Sequence, residues 1–124
     1  MKTEQRFFGD EGEAKVAEYL QSDGYVICAR NFHIRGGEVD IIARKKEVIA
    51  FVEVKTRKVE RFALSEVVTL SKQRKIIRAA RTYLFRQRIG DVAIRFDIAL
   101  VTGEPASAKV TYLPNAFTAH EEIV

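Results

Sequence analysis

Five consecutive apolar residues, Val48-Ile49-Ala50-Phe51-Val52, followed by Glu53-Val54-Lys55, constrain this chain more than any other stretch. A strand with one solvated face alternates apolar and polar residues, whereas a strand covered on both faces is apolar throughout. The run therefore predicts a central strand, Val48 to Lys55, held between two layers. It ends in charge. Glu53 and Lys55 stand two residues apart, so a strand points both to the same face. A carboxylate and an ammonium there are costly to bury unless something pairs with them. Two readings follow: a strand-end ion pair of Glu53 with Lys55 or Arg57, or a functional site.

The flanking sequence supplies the layers. Asp10 to Gln21 reads as a helix with Ala14, Val16, Ala17, Tyr19 and Leu20 on its apolar side and Gly24 as its stop. Asp10 and Glu13 have the spacing of a capping box. Tyr25 to Ala29 reads as a short strand, Gly36-Gly37 as a turn and Glu38 to Ala43 as a second strand. Arg44 to Glu47 then separates that strand from the central one, which suggests an antiparallel hairpin. Residues 56–70 read as loop with a short helix around Ser65 to Val68. Ser71 is a candidate N-cap for a long helix to about Gln87. Ile76, Ile77, Ala80 and Leu84 recur there at helical spacing, beside a basic stripe of Arg74, Arg78 and Arg81. Strands at about Ala93 to Val101 and Lys109 to Leu113 complete the order, with Pro114 as the last stop. The fold class expected is α/β, αβββαββ, a mixed sheet flanked by helices in one domain over 1–124.

Length and composition agree. At 124 residues and 47% hydrophobic, the chain can bury a core without staples. The single cysteine, Cys28, cannot form an internal disulfide; beside Tyr25, Val26 and Ile27 it reads as a buried thiol in a reducing compartment. No apolar run approaches the ~20 residues that span a bilayer. Met1 to Gln5 lacks the apolar region of a signal peptide. The expectation is a soluble cytoplasmic protein. Charge is unevenly spread: residues 44–88 hold fourteen Lys and Arg against four acids, a balance of +10 within a total of +4. Such asymmetry suits a polyanionic partner, or a solvated face that keeps the protein soluble.

Metal-assisted phosphodiester hydrolysis needs a few rigid oxygen ligands, open positions and a nearby cation. Asp40, with twelve residues between it and Glu53, sits where a hairpin can place its carboxylate beside Glu53. The pattern Asp40-x₁₂-Glu53-x-Lys55 is thus physically suited to a metal site. Arg57, Lys58, Arg61, Lys72, Arg74, Arg78 and Arg81 are candidates to hold a phosphate backbone without reading sequence. Glu13 serves equally as helix cap or site residue, and Glu38, which shares strand parity with Asp40, either flanks the site or, the favoured reading, is solvated. Gln73 in a first helical turn is unremarkable, and Asp97 reads as a paired structural carboxylate. His33 and His120 read as ordinary surface or loop residues. No Cys/His zinc pattern, P-loop or Ser/His/Asp arrangement stands out.

Gly9-x-x-x-Glu13-x-x-x-Ala17-x-Tyr19-Leu20, Gly36-Gly37-Glu38-Val39-Asp40-Ile41-Ile42 and Phe51-Val52-Glu53-Val54-Lys55, with Ser71-Lys72-Gln73 and Arg95-Phe96-Asp97, resemble the uncharacterised YraN-like family. The resemblance runs from about Gly9 to Phe117. That family is similar in turn to restriction-endonuclease-like nucleases, including archaeal Holliday-junction resolvases. The resemblance implies a restriction-endonuclease-like core, with Asp40 and Glu53 as ligands of Mg²⁺ or Mn²⁺ and Lys55 as the catalytic cation. It further implies Glu13 as an additional acidic group and Gln73 as a residue facing the site. The activity expected is metal-dependent endonucleolytic cleavage of DNA, including branched or structured DNA. The alternatives are a non-catalytic module that binds DNA or RNA or serves repair and recombination, and an enzyme on a small phosphorylated substrate. A single site cuts one strand at a time, so symmetric cleavage calls for a homodimer; Phe7, Phe8 and Phe117 are candidate contacts for it, with core packing the favoured use of these residues.

Overall fold

The computed structural model describes residues 4–58 and 68–119. Arg61, His120 and all but Val68 of the helix expected around Ser65 to Val68 lie outside them, as do the side chains of Phe7 and Phe8. Helix α1 (Glu4–Ser22) is followed by strands β1 (Val26–Ile34), β2 (Gly37–Lys45) and β3 (Val48–Arg57). Helix α2 (Leu70–Arg86), β4 (Ala93–Thr102), a 3₁₀ turn (Pro105–Ser107) and β5 (Lys109–Phe117) complete the order. The five strands form one sheet in sequence order, β1 to β5. The β3–β4 pair is parallel and the others are antiparallel, so α2 is the crossover that a parallel pair requires.

β3 is the central strand, and successive residues feed opposite layers. Ala50 and Val52 pack with Val16, Ala17 and Leu20 of α1, while Ile49 and Phe51 pack with Ile76, Ile77, Ala80 and Tyr83 of α2. Ile49 to Val52 are no more than 1% exposed, each of the larger side chains contributing roughly 1.5–3 kcal/mol by burial. Among the described residues no helix is long and apolar enough to cross a membrane.

Several boundaries differ from the sequence reading, each for a local reason. α1 starts at Glu4, so Asp10 and Glu13 are interior residues and form no capping box. Gly9 and Gly12 do not stop it, because an interior glycine costs only about 1 kcal/mol. The stop is where expected: Gly24 adopts φ +91°, and the Tyr25 N–H returns to the Leu20 carbonyl. The N-cap of α2 is Thr69, whose Oγ1 accepts from the Lys72 N–H at 3.2 Å, in place of Ser71. β1 continues to Ile34 and carries His33. Its register slips between Ile27 and Ala29, and Cys28 at that irregularity is exposed, not buried as the apolar neighbours suggested. β5 runs through Pro114 because it is an edge strand, where a missing N–H can face solvent.

Two glycines set how closely the layers approach. A Cβ on Gly37 would stand 2.8 Å from the Lys75 carbonyl oxygen and 3.0 Å from the Ala79 nitrogen, so the start of β2 lies directly on the α2 backbone. A Cβ on Gly12 would stand 2.4 Å from Thr56 Cγ2, so α1 presses equally on the end of β3. Both contacts fall beside the charged end of β3.

Candidate functional site

The β2–β3 ladder runs from Lys45/Val48 up to Ile41/Val52 and stops there. One residue further, the strands part at Asp40 and Glu53. Alternation in β2 is interrupted at the same point: Ile41 and Ala43 join the α1-side core, whereas Ile42 and Val39, three residues apart, both join the α2-side core. Asp40 occupies this irregularity. Its Oδ2 accepts from the Val54 N–H at 2.8 Å, so a side chain satisfies a backbone donor beyond the end of the ladder.

Glu53 continues the buried strand and is only 3% exposed. Burial pushes its carboxyl well above the usual carboxylate range, and the adjoining Asp40 carboxyl, close enough to act as a hydrogen-bond partner, pushes it further. Lys72 of α2 opposes that shift, with Nζ 3.3 Å from Glu53 Oε2. Glu53 Oε2 is nonetheless a buried oxygen without a well-formed hydrogen bond, and so is Glu13 Oε1. Glu13 comes from α1 on the opposite layer. Its carboxyl is pushed up to about 7, first by burial and then by the Asp40 charge, with Arg30 at 4.0 Å lowering it. Asp40 therefore influences both glutamates, one on the central strand and one on α1.

The α2 side brings a second ring of charge. Lys72 Nζ donates to Glu38 Oε1 at 2.9 Å, and His33 Nδ1 lies 3.5 Å from Glu38 Oε2. Glu38 is thus not simply solvated but joins the cluster through Lys72, which holds its carboxyl below the usual range. Lys72, read from sequence as a phosphate contact, stands between Glu38 and Glu53. Nothing in the sequence paired Lys72 with Glu53 across a layer, and because alternation breaks at Asp40, strand parity alone does not account for Glu38 reaching the cluster; Lys72 brings it there. Lys55, half-buried on the Glu53 side of β3, enters no ion pair among the described residues, so the simple Glu53–Lys55 pair does not form.

The remaining candidates are dispersed. Gln73 Nε2 donates to the Val68 carbonyl at 3.3 Å, bracing the entry to α2. Arg57 donates to the carbonyl of Thr56, and Lys58 is exposed beyond it. Arg74, Arg78 and Arg81 are exposed along α2. Asp97 is fully buried and saturated: Arg95 donates to both oxygens at 2.8–3.0 Å, the Asn115 N–H donates at 2.8 Å, and the Tyr112 hydroxyl donates as well. Arg95 also donates to the Tyr25 hydroxyl, so the network ties β4 to β5 and to the end of α1. Asp97 is a paired structural carboxylate.

Among the described residues no three His, Cys, Asp or Glu side chains are gathered as a ready metal cage. The Asp40–Glu53 pair nevertheless fits a hard divalent ion that uses one or two carboxylates and completes its shell with water and phosphate. The fit rests on two oxygen-only donors side by side, a Glu53 carboxyl whose proton affinity is raised by burial, and a buried Glu53 Oε2 that has no well-formed hydrogen bond beyond its ion pair with Lys72.

These features define an α/β protein whose central strands part to present a buried glutamate beside a half-buried aspartate between two helical layers. The chain belongs to the uncharacterised protein family UPF0102, whose sequence profile matches residues 12–101; this is the YraN-like family. It is 41% identical over 118 residues to a UPF0102 protein of Geobacter metallireducens, covering 94% of this chain and 97% of the relative. A UPF0102 protein of Clostridium perfringens is 41% identical over 120 residues, covering 94% and 98%. One of Symbiobacterium thermophilum is 41% identical over 116 residues, covering 92% and 98%.

Proposed function

We propose that this protein is a metal-dependent endonuclease of restriction-endonuclease-like architecture that hydrolyses phosphodiester bonds in DNA, including branched or structured DNA. The observation that carries the reading is the juxtaposition of the Asp40 and Glu53 carboxyls at the parting of β2 and β3, with the buried Glu53 Oε2 held by no well-formed hydrogen bond beyond its ion pair with Lys72. Asp40 and Glu53 would hold Mg²⁺ or Mn²⁺. A divalent ion there would polarise the phosphate and lower the pKa of bound water. Lys55, half-buried on the same face as Glu53, offsets charge developing on the phosphate or orients the attacking water. Glu13 adds a carboxyl that ionises close to neutrality. Arg57, Lys58 and the α2 arginines hold the backbone, and a homodimer would permit paired cuts. The test is cleavage of a panel of duplex, flapped and four-way DNA in Mg²⁺ or Mn²⁺. Wild-type protein should cut, while Asp40→Ala and Glu53→Ala should not; cleavage unchanged in Asp40→Ala refutes the assignment.

A second reading is favoured by Lys72. Its ammonium already neutralises Glu53 and Glu38, as a chain that binds nucleic acid without metal would require. Such a binder shows salt-sensitive affinity that is indifferent to divalent ions and yields no cleavage. Calorimetric titration of Mn²⁺ separates the two, because only the first predicts saturable binding lost in both carboxylate variants.

A further inference from the structure

A groove of about 610 Å³ lies along the outer face of α2, bounded by Ile34 and Arg35 from the β1–β2 turn. Arg78, Arg81, Thr82, Phe85 and Arg86 form its helical wall; no lining residue is acidic and four are arginines. Phe85 is 85% exposed, far more than any core role would leave a phenyl ring. Arg78, Thr82 and Phe85 recur at the three- and four-residue spacing of one helix face, so the ring rises from within the arginine cluster. The turn itself is fixed: Gly36 has φ +79°, and its Cα side packs beneath the Arg78 guanidinium.

An exposed aromatic ring costs solvation unless a flat apolar surface covers it, and the guanidinium groups of Arg35, Arg78 and Arg86 suit several negative charges nearby. A nucleotide supplies both. We infer that this groove binds an unpaired nucleotide, with its base stacked on Phe85 and the flanking phosphates held by Arg35, Arg78 and Arg86. Stacking on an aromatic ring is sequence-tolerant because every base presents a π face. The inference deepens the proposed activity by naming its substrate feature, and rests on that reading for the relation between groove and carboxylates. From Phe85 to Lys72 the helix rises about 20 Å, the span of roughly six nucleotides in one strand of duplex. The unpaired nucleotide would therefore be held at a distance from the bond that is cut.

The chain contains no tryptophan, so Phe85→Trp introduces a single indole reporter. The experiment titrates this variant, in EDTA, with an oligothymidylate and with a blunt duplex, following indole emission and anisotropy of labelled DNA together. The expected result is saturable quenching by oligothymidylate that tracks the anisotropy. Phe85→Ala should bind it about tenfold more weakly, with little change for the blunt duplex. Failure of wild-type protein to bind oligothymidylate overturns the inference. So does binding in which the indole is silent and Phe85→Ala matches wild type. Concentration-dependent emission without DNA, accompanied by a doubled mass in light scattering, would assign Phe85 to a contact between copies of the chain and also overturn it. Cleavage in Mn²⁺ is scored separately. Cutting abolished by Asp40→Ala with a silent indole refutes the groove alone; quenching without cutting refutes the nuclease reading alone.

Discussion

Asp40 does two separable things, and two substitutions at that position pull them apart. Its Oδ2 accepts the Val54 N–H, and its charge raises the proton affinity of Glu53 and Glu13. Asp40→Ala removes both. A half-buried amide left without an acceptor costs roughly 1–3 kcal/mol, which for a chain of this size lowers Tm by roughly 3–12 °C. Asp40→Asn keeps a carbonyl acceptor of the same reach and removes only the charge. Two unit charges about 5 Å apart repel by ~3 kcal/mol at an effective dielectric near 20. Partial protonation of the glutamates leaves a fraction of that, so Asp40→Asn should match wild type or exceed it by about 1 kcal/mol. The gap should depend on pH. Glu13 goes from 4.5 unfolded to about 7 folded, and Glu53 rises as well. Between those values the folded state holds more protons than the unfolded one. The stability these groups contribute is therefore complete below their unfolded pKa and lost as pH rises through the folded value. By removing the Asp40 contribution to both shifts and leaving that of burial, Asp40→Asn should gain on wild type from about pH 5 to about pH 8. The assay is thermal unfolding by circular dichroism in EDTA across that range. Equal losses in the asparagine and alanine variants would refute the argument, because the carboxylate charge would then be structural and the pair unstrained.

Other consequences are as direct. If Asp40 and Glu53 hold the ion, binding must release the proton that burial favours on Glu53, so Mn²⁺ affinity by calorimetry should rise by up to about tenfold per pH unit near neutrality. A flat profile would separate the ion from Glu53. Gly37→Ala must push β2 off the α2 backbone and should cost roughly 1–3 kcal/mol in urea unfolding, although no positive φ is involved. Cys28 should react with one equivalent of an aromatic disulfide reagent in the native protein, at a rate within about tenfold of that in denaturant; protection would contradict its exposed position on β1.

Local patterning settled much of this protein in advance. An all-apolar Val48–Val52 can satisfy both its faces only between two layers, and the short polar interval from Arg44 to Glu47 can only turn the chain back antiparallel. The order of elements, the stop at Gly24, the pairing of Asp97 and the adjacency of Asp40 to the end of β3 follow from such short-range rules. What escaped depends on which edge or layer a residue meets. Cys28 lies in an apolar run, yet a slip in an edge-strand ladder turns it outward. Pro114 ends a central strand but not one whose free side faces solvent. Lys72 and Glu38 are thirty-four residues apart, and their meeting beside Glu53 depends on how α2 crosses back over the sheet, which Gly37 permits. The groove at Phe85 likewise exists only because a turn from β1 comes to rest against the last turns of α2. Periodicity and turn chemistry act within a few residues and are written in the sequence. Charge pairing, burial and pKa depend on distances across layers, and only the packed sheet and helices determine those.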